Sequence, residues 1–193
     1  TRYIPVMTDP KVLVMVLAGG EGKRMLPLTK DRAKPAVPFG GAYRLIDFAL
    51  SNFANAGYLK TVVLTQYMSH SLDRHLKQGW SIFCRELDEY IDSVPPQQQY
   101  KEGWYRGTAD AIFQNIYLLE QIHPRYVLIL SGDHVYKMNY AEMLRAHLEN
   151  DADLTVASVE VESRLAAKTL GVLQVDKNGR IVDFEEKPER PKP

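Results

Sequence analysis

Three glycines stand in Leu17-Ala-Gly-Gly-Glu-Gly-Lys-Arg24, directly after the apolar run Val12–Leu17. Glycine in such a place lets the backbone approach a ligand closely and turn its N–H groups toward phosphate oxygens. The stretch runs on through Leu26-Pro-Leu-Thr29, and Lys23, Arg24, Lys30, Arg32 and Lys34 gather positive charge around it. Glycine-rich backbone followed by clustered cations suits an anionic, phosphate-bearing ligand. The same string also fits a tight strand-to-loop turn leading into a solvated charged segment, and a short motif does not separate the two. No glycine stands three residues after Gly22, and Lys23 is followed by Arg24 rather than Ser or Thr. The loop is therefore neither a dinucleotide fingerprint nor a Walker loop, which disfavours dinucleotide oxidoreductases and P-loop hydrolases.

Other chemistry-bearing residues follow apolar runs in the same way. Gln66 comes directly after Thr61–Thr65, with an amide that both donates and accepts. Asp133 follows Tyr126–Leu130, at the carboxyl end of a run where open α/β sheets place their ligands. Pro35 restricts the backbone of Lys34, so the direction of that lysine is less accidental than for a surface residue. His70 and His75 lie five apart with no matching Cys or His, which does not make a zinc site. Cys84 is the only cysteine. An internal disulfide is excluded, a reducing compartment fits, and without an activating base nearby the thiol reads as a partly buried bystander.

The elements that must position these groups are legible as periodicities. Val12–Leu17, Thr61–Thr65, Tyr126–Leu130 and Leu154–Val159 are short continuous apolar runs. Such runs predict strands buried on both faces, as in a parallel sheet covered by helices. In Thr108–Ile122, Ile112, Ile116, Leu119 and Ile122 recur at helical steps, predicting one helix with Thr108 as its N-cap. Asn139-Tyr-Ala-Glu142 resembles a capping box opening a helix through Leu148. Strands alternating with helices predict an α/β layer fold with right-handed crossovers. Near the end, Leu170–Val175 and Arg180–Phe184 alternate in polarity around Asn178-Gly179, a two-residue hairpin signal. Ser93–Gln99 reads as an exposed loop, and Lys187–Pro193 as a crossing to more structure or an exposed tail. No repeat, low-complexity tract or internal domain boundary is legible.

The totals agree with this outline. A chain of 193 residues, 45% hydrophobic and 25% charged, makes one soluble domain or most of a larger one. Lys+Arg and Asp+Glu both number 24, which argues against a binder of nucleic acid or membrane surfaces relying on a global basic field. The apolar runs are too short to span a bilayer, and Thr1–Pro10 lacks the form of a secretory signal. A cytoplasmic location is the expectation.

The order of the remaining motifs is more specific than any one of them. After the glycine-rich loop come Arg32-Ala-Lys-Pro-Ala-Val-Pro-Phe-Gly-Gly41, Tyr43-Arg-Leu-Ile-Asp-Phe-Ala-Leu-Ser-Asn52 and Thr65-Gln-Tyr67. Trp104-Tyr-Arg-Gly-Thr-Ala-Asp-Ala111, Ser131-Gly-Asp-His134 and Phe184-Glu-Glu-Lys-Pro188 complete the series. In this order, over about residues 12 to 188, the chain closely resembles the sugar-1-phosphate nucleotidyltransferases, most of all the branch that transfers adenylyl groups to glucose 1-phosphate. Met25, where leucine is usual, is the one departure in the loop, and that swap conserves volume.

The resemblance implies a mainly parallel, Rossmann-like (GT-A-like) α/β sheet flanked by helices, with a C-terminal hairpin. It implies attack by a glucose 1-phosphate oxygen on the α-phosphorus of ATP, giving ADP-glucose and pyrophosphate for α-glucan synthesis. Carried over residue by residue, Ala18, Gly19, Gly20 and Gly22 cradle the nucleotide phosphates, and Arg24 and Lys34 contact the phosphates and the transition state. Gln66, with Gly107 and Thr108, reads the adenine. Tyr105, Gly171, Glu186 and Lys187 hold glucose 1-phosphate. A carboxylate beside several phosphates needs a cation between them, so Asp133 is expected to bind Mg²⁺. Phosphate oxygens need no general base, so His134 reads as structural. The resemblance also implies that the rest of the catalytic domain, including a second metal ligand, and a carboxyl-terminal left-handed β-helix lie outside these residues. It implies a homotetramer under allosteric control for the full-length protein. The isolated stretch is then expected to bind ATP weakly, self-associate and turn over poorly. The rival readings are a thymidylyl- or uridylyltransferase and a non-catalytic regulatory subunit of the same fold. Retention of Arg24, Lys34, Asp133 and Lys187 weakens the second.

Overall fold

The apolar run at the start of the chain becomes a strand, β1 (Val12–Ala18), with every residue except Leu17 buried. In the computed structural model, which describes residues 11–20, 22–96 and 104–191, β1 is central. It pairs in parallel with β4 (Lys60–Thr65) on one side and β6 (Tyr126–Ser131) on the other. β4 pairs in turn with β5 (Tyr90–Val94), giving a parallel sheet ordered β5-β4-β1-β6. Between β1 and β4 a short antiparallel pair, β2 (Pro38–Phe39) with β3 (Tyr43–Arg44), leads into helix α1 (Ile46–Asn55). Expectations resting on residues 1–10, 21, 97–99 and 192–193 lie outside the described residues.

Alternation along β1 explains why it must be apolar throughout. Val12, Val14, Val16 and Ala18 join a core with Ile46, Leu50 and Phe53 of α1 and with Leu72 and Leu76 of α2 (His70–Gly79). Tyr140, the first residue of α5 (Tyr140–Glu149), completes that layer. Leu13 and Met15 point into a second core with Val62, Leu64, Tyr105 and Ala111, against which Ile112, Leu119 and Ile122 pack. Both faces of β1 and β4 are therefore covered, as their composition predicts.

β6 departs from that expectation. It is an edge strand of the described sheet, and Val127 and Ile129 are 38% and 48% exposed. Its run is apolar, yet the helices of the second core cover β1 and β4 and not this strand. The expected strand Leu154–Val159 is absent; that stretch is extended at most, with Leu154 and Val159 exposed. An apolar run reports a tendency to be buried, whereas a strand also needs a neighbour to bond. β5, by contrast, takes in Ser93 and Val94, which sequence places in a loop.

The predicted helix 108–122 is two helices, α3 (Thr108–Gln114) and α4 (Ile116–Ile122). Buried Asn115 interrupts them, donating from Nδ2 to the Ala111 carbonyl at 2.8 Å and to the Tyr105 hydroxyl at 2.9 Å. An amide that bonds its own helix backbone competes with the regular ladder. The N-cap is Gly107, in extended backbone and with no side-chain cap bond, so Thr108 is the first helical residue and not the cap. At α5, Asn139 Oδ1 accepts from the Ala141 N–H as a cap should, but Glu142 meets the Asn139 side-chain amide. The reciprocal arm of a capping box is thus made side chain to side chain.

The chain divides after Leu148 into two compact units. The second contains the one-turn helix α6 (Ser163–Ala166) and an antiparallel hairpin, β7 (Gly171–Val175) with β8 (Ile181–Glu186). The connection runs from Asp176 to Arg180 and is longer than the Asn-Gly signal predicts. Asp176 Oδ1 accepts from the N–H groups of Asn178 and Arg180, and Gly179 takes the positive φ of 77°.

Phe53, fully buried between α1 and the sheet, anchors the first core. Phe53→Ala should destabilise the protein by about 3–5 kcal/mol, read as a lowered urea midpoint with unchanged slope.

Candidate active site

Parallel pairing places the carboxyl ends of neighbouring strands side by side. Ala18 registers with Thr65 and Leu17 with Ser131, so the residues that follow, Gly19, Gln66 and Gly132-Asp133, emerge together. The packing at this edge accounts for two glycines. A Cβ on Gly19 would lie 3.1 Å from Gln66 Cβ, and one on Gly132 would lie 3.2 Å from the Leu17 carbonyl oxygen. The Gly132 N–H donates to that same carbonyl at 2.9 Å, which presses Asp133 against the end of β1. Gly20 and Gly107 have open space where a Cβ would be.

Gly22 has a stricter requirement. Its φ is +67°, and an added Cβ would meet Thr29 Cγ2 at 2.9 Å and Lys34 Cβ at 3.0 Å. The Gly22 carbonyl accepts from the Met25 N–H at 2.8 Å and from the Thr29 hydroxyl at 2.9 Å. This folds the loop over a single 3-10 turn, Lys23–Met25, that leaves Arg24 exposed. Lys34 opens another such turn, Lys34–Ala36, fastened by buried Pro35 and Ala36. Behind it, Arg44 Nη1 donates to the Ala36 carbonyl at 2.6 Å. Buried Asp47 in the first turn of α1 accepts from the Arg44 N–H, His75 Nε2 and Trp80 Nε1. Asp47, His75 and Trp80 thus brace the lysine-bearing turn through Arg44. Arg44 and Asp47 at a helix start are the only local signal of this network, since His75 comes from α2 and Trp80 from the residue that ends it.

At the centre, Lys34 Nζ donates to Asp133 Oδ2 at 2.5 Å, and Ser131 Oγ donates to Asp133 Oδ1 at 2.5 Å. Burial alone would raise the pKa of Asp133. Hydrogen bonds from Lys34 and Ser131, with the charges of Lys34 and His134, outweigh it and hold the carboxyl below its ordinary value. His134 itself packs edge-on against Tyr136, with ring centroids 5.8 Å apart.

The base-side candidates gather around Tyr105. Gln66 Nε2 donates to the Tyr105 carbonyl at 3.4 Å, while the Tyr105 ring is 8% exposed in the second core. Its hydroxyl accepts from Asn115, so it does not stand in water as a half-buried aromatic would. Thr108 is exposed at the start of α3, and Asp110 fixes the turn before it by accepting from the Arg106 N–H at 2.9 Å. That bond leads the causes that lower the pKa of Asp110.

Gly171, Glu186 and Lys187 lie together in the second unit. Gly171 registers opposite Glu186, and an added Cβ would stand 2.9 Å from the Phe184 ring and 3.1 Å from the Glu186 carboxylate. Lys187 adopts φ 47°, uncommon outside glycine, and its Nζ donates to Glu186 Oε1 at 2.6 Å.

Among the described residues, no three His, Cys, Asp or Glu groups converge to cage a metal. His75 Nε2 is engaged by Asp47. A single ionised carboxylate fits a hard cation that draws its other ligands from phosphate oxygens and water.

A family model described as nucleotidyl transferase matches residues 13–193. A glucose-1-phosphate adenylyltransferase of Rhodopirellula baltica is 55% identical over the whole chain, which covers 43% of that protein. Glucose-1-phosphate adenylyltransferase 2 of Vibrio vulnificus is 56% identical over 93% of the chain and 44% of its own length. A glucose-1-phosphate adenylyltransferase of Shewanella putrefaciens is 52% identical over the whole chain and 46% of its own length. The chain thus spans less than half the length of these curated relatives.

A carboxylate with a lowered folded pKa contributes stability that is full above its unfolded value and lost as pH falls through the folded one. The Lys34–Asp133 pair should therefore favour the folded state at neutral pH and cease to do so on acidification below the ordinary carboxylate range. Lys34→Met should move the Asp133 titration, followed by carboxyl carbon NMR, upward toward the ordinary value. An unmoved titration would show that Lys34 does not set it.

Proposed function

The chain belongs to the nucleotidyl transferase family, and on that premise we propose that it carries the nucleotide-handling part of an ATP:glucose 1-phosphate adenylyltransferase. The observation that carries the reading is the convergence of Gly22, Lys34 and Asp133 at the carboxyl edge of the parallel sheet. In the reaction, a phosphate oxygen of glucose 1-phosphate forms a bond to the α-phosphorus of ATP as the bond to pyrophosphate breaks. Such transfers depend on in-line positioning and on neutralising anionic oxygens.

Ala18, Gly19, Gly20 and Gly22 present backbone to the triphosphate. Arg24, exposed beside them, offers a planar fork of donors, and Lys34 a compact charge on a turn held from behind. Mg²⁺, when bound, neutralises phosphate oxygens and polarises phosphorus; Asp133 would hold it, with a further carboxylate from beyond this chain. Gln66 addresses the adenine edge with Gly107 and Thr108. Tyr105 is proposed as a glucose 1-phosphate contact, and its carbonyl also supports Gln66. Gly171, Glu186 and Lys187 serve glucose 1-phosphate, Lys187 through its phosphate.

The full-length protein is proposed to act as a cytoplasmic homotetramer without nucleic-acid or membrane partners. The tetramer is what the family resemblance implies; the single cysteine fits the location and the balanced charge fits the lack of nucleic-acid partners, and no helix among the described residues is long and apolar enough to cross a membrane. Pyrophosphate release from glucose 1-phosphate with ATP, against TTP and UTP, tests the assignment. Preference for TTP or UTP would replace it by the thymidylyl or uridylyl reading.

Lys187→Ala in the full-length enzyme should raise the KM for glucose 1-phosphate by about 10-fold or more while leaving that for ATP near normal. An equal rise for both would remove Lys187 from the sugar phosphate. Asp133→Asn keeps the shape and removes the charge. It should lower kcat by about 10²-fold or more, and near-normal turnover at ordinary magnesium would count against a ligand role.

A further inference from the structure

Lys34 and a metal ion compete for one carboxylate. Asp133 Oδ1 is engaged by Ser131, and Oδ2 by the Lys34 ammonium, each at 2.5 Å. A second cation on that carboxylate would lie within contact range of the ammonium, where like charges repel strongly. No carboxylate or imidazole cluster among the described residues offsets that repulsion. As long as the pair persists, Asp133 is a poor site for a free divalent ion.

The pair is also built to exchange. The base of Lys34 is fixed, with Pro35 and Ala36 buried after it and no room for a Cβ on Gly22 beside its own Cβ. Beyond Cβ the stem is flexible, and the two side chains keep 34% and 25% of their exposure. A pair this exposed is weak enough to be given up, and a triphosphate offers an ammonium several charged acceptors in place of one. The glycine-rich loop lies on the same side of Lys34, because a Cβ added to Gly22 would stand 3.0 Å from Lys34 Cβ.

Resting on the function proposed above, we propose that Lys34 is an exchangeable counter-ion for Asp133 that makes metal binding conditional on nucleotide. A nucleoside triphosphate draws the ammonium onto its phosphates, and the freed Oδ2 then accepts the divalent ion that arrives with the nucleotide. No covalent bond changes. One ion pair is replaced by two: ammonium with phosphate, and carboxylate with metal. Free metal is thereby kept out of the site, and a bound metal always has a triphosphate to act on. Ser131 stays on Oδ1 throughout and keeps the carboxylate aimed.

The test uses Mn²⁺ as probe on the full-length protein, with free Mn²⁺ followed by its electron paramagnetic resonance signal. Wild type should bind Mn²⁺ weakly alone and tightly with a non-hydrolysable ATP analogue. Lys34→Met and Lys34→Gln should each tighten nucleotide-free binding by about 10-fold or more, since a repelling charge has gone. Lys34→Arg should stay as weak as wild type, and adding Asp133→Asn to Lys34→Met should abolish the gain. Circular dichroism and melting show that each variant is folded. If wild type without nucleotide binds Mn²⁺ as tightly as Lys34→Met, the exchange is refuted while Asp133 keeps its metal. If no variant shows Asp133-dependent Mn²⁺ binding even with the analogue, the metal assignment falls, and the exchange falls with it.

Discussion

Strands that pair in parallel must end at the same edge of their sheet, and this constraint organises everything at the candidate site. β1 is held between β4 and β6, so the loops that leave all three emerge side by side. The loops after β1 and β6 begin with glycines at close quarters. Gly19 makes way for Gln66, Gly132 sits on the Leu17 carbonyl, and Asp133 comes next. β1 and β4, covered on both faces, are mostly apolar along their length, so the chemistry collects at the strand ends.

The charges follow the same economy. Net charge is zero over the whole chain, yet cations crowd the first loops. The Lys34–Asp133 pair is partly exposed, so its stabilising worth is small and its value lies in positioning. Asp47 is the opposite case. It is buried, and its acceptor sites are met by Arg44, His75 and Trp80, so removing any one partner leaves a buried group wanting. The rigid charge network thus stands behind the lysine turn, and the exchangeable one stands in front of it. In the second unit Glu186 and Lys187 are both exposed, and their mutual pair fixes little by itself.

Where structure departs from sequence expectation, a local pattern had more than one solution. The apolar steps across 108–122 are compatible with one helix, but they do not register that Asn115 is buried and bonded to Ala111 and Tyr105. Asn-Gly at 178–179 marks a turn, while Asp176 sets its length by accepting from two later N–H groups. The run 154–159 has strand composition without a strand, because pairing is a property of two segments and composition of only one.

By itself the sequence determined the α/β class, the strands β1, β4 and β6 nearly to the residue, and the hairpin. These are carried by period and by residue type, which act over a few neighbours. Gly22, Lys34, Gln66 and Asp133 stand out in the sequence because a glycine, a cation, an amide and a carboxylate close to apolar runs are local signals. Tertiary structure alone decided that Lys34 and Asp133, 99 positions apart, are partners at 2.5 Å. It alone showed that His75 and Trp80 converge on Asp47, and that Tyr105 belongs to the core. Those contacts depend on which strand lies beside which and in what register, and only closure of the chain on itself sets that.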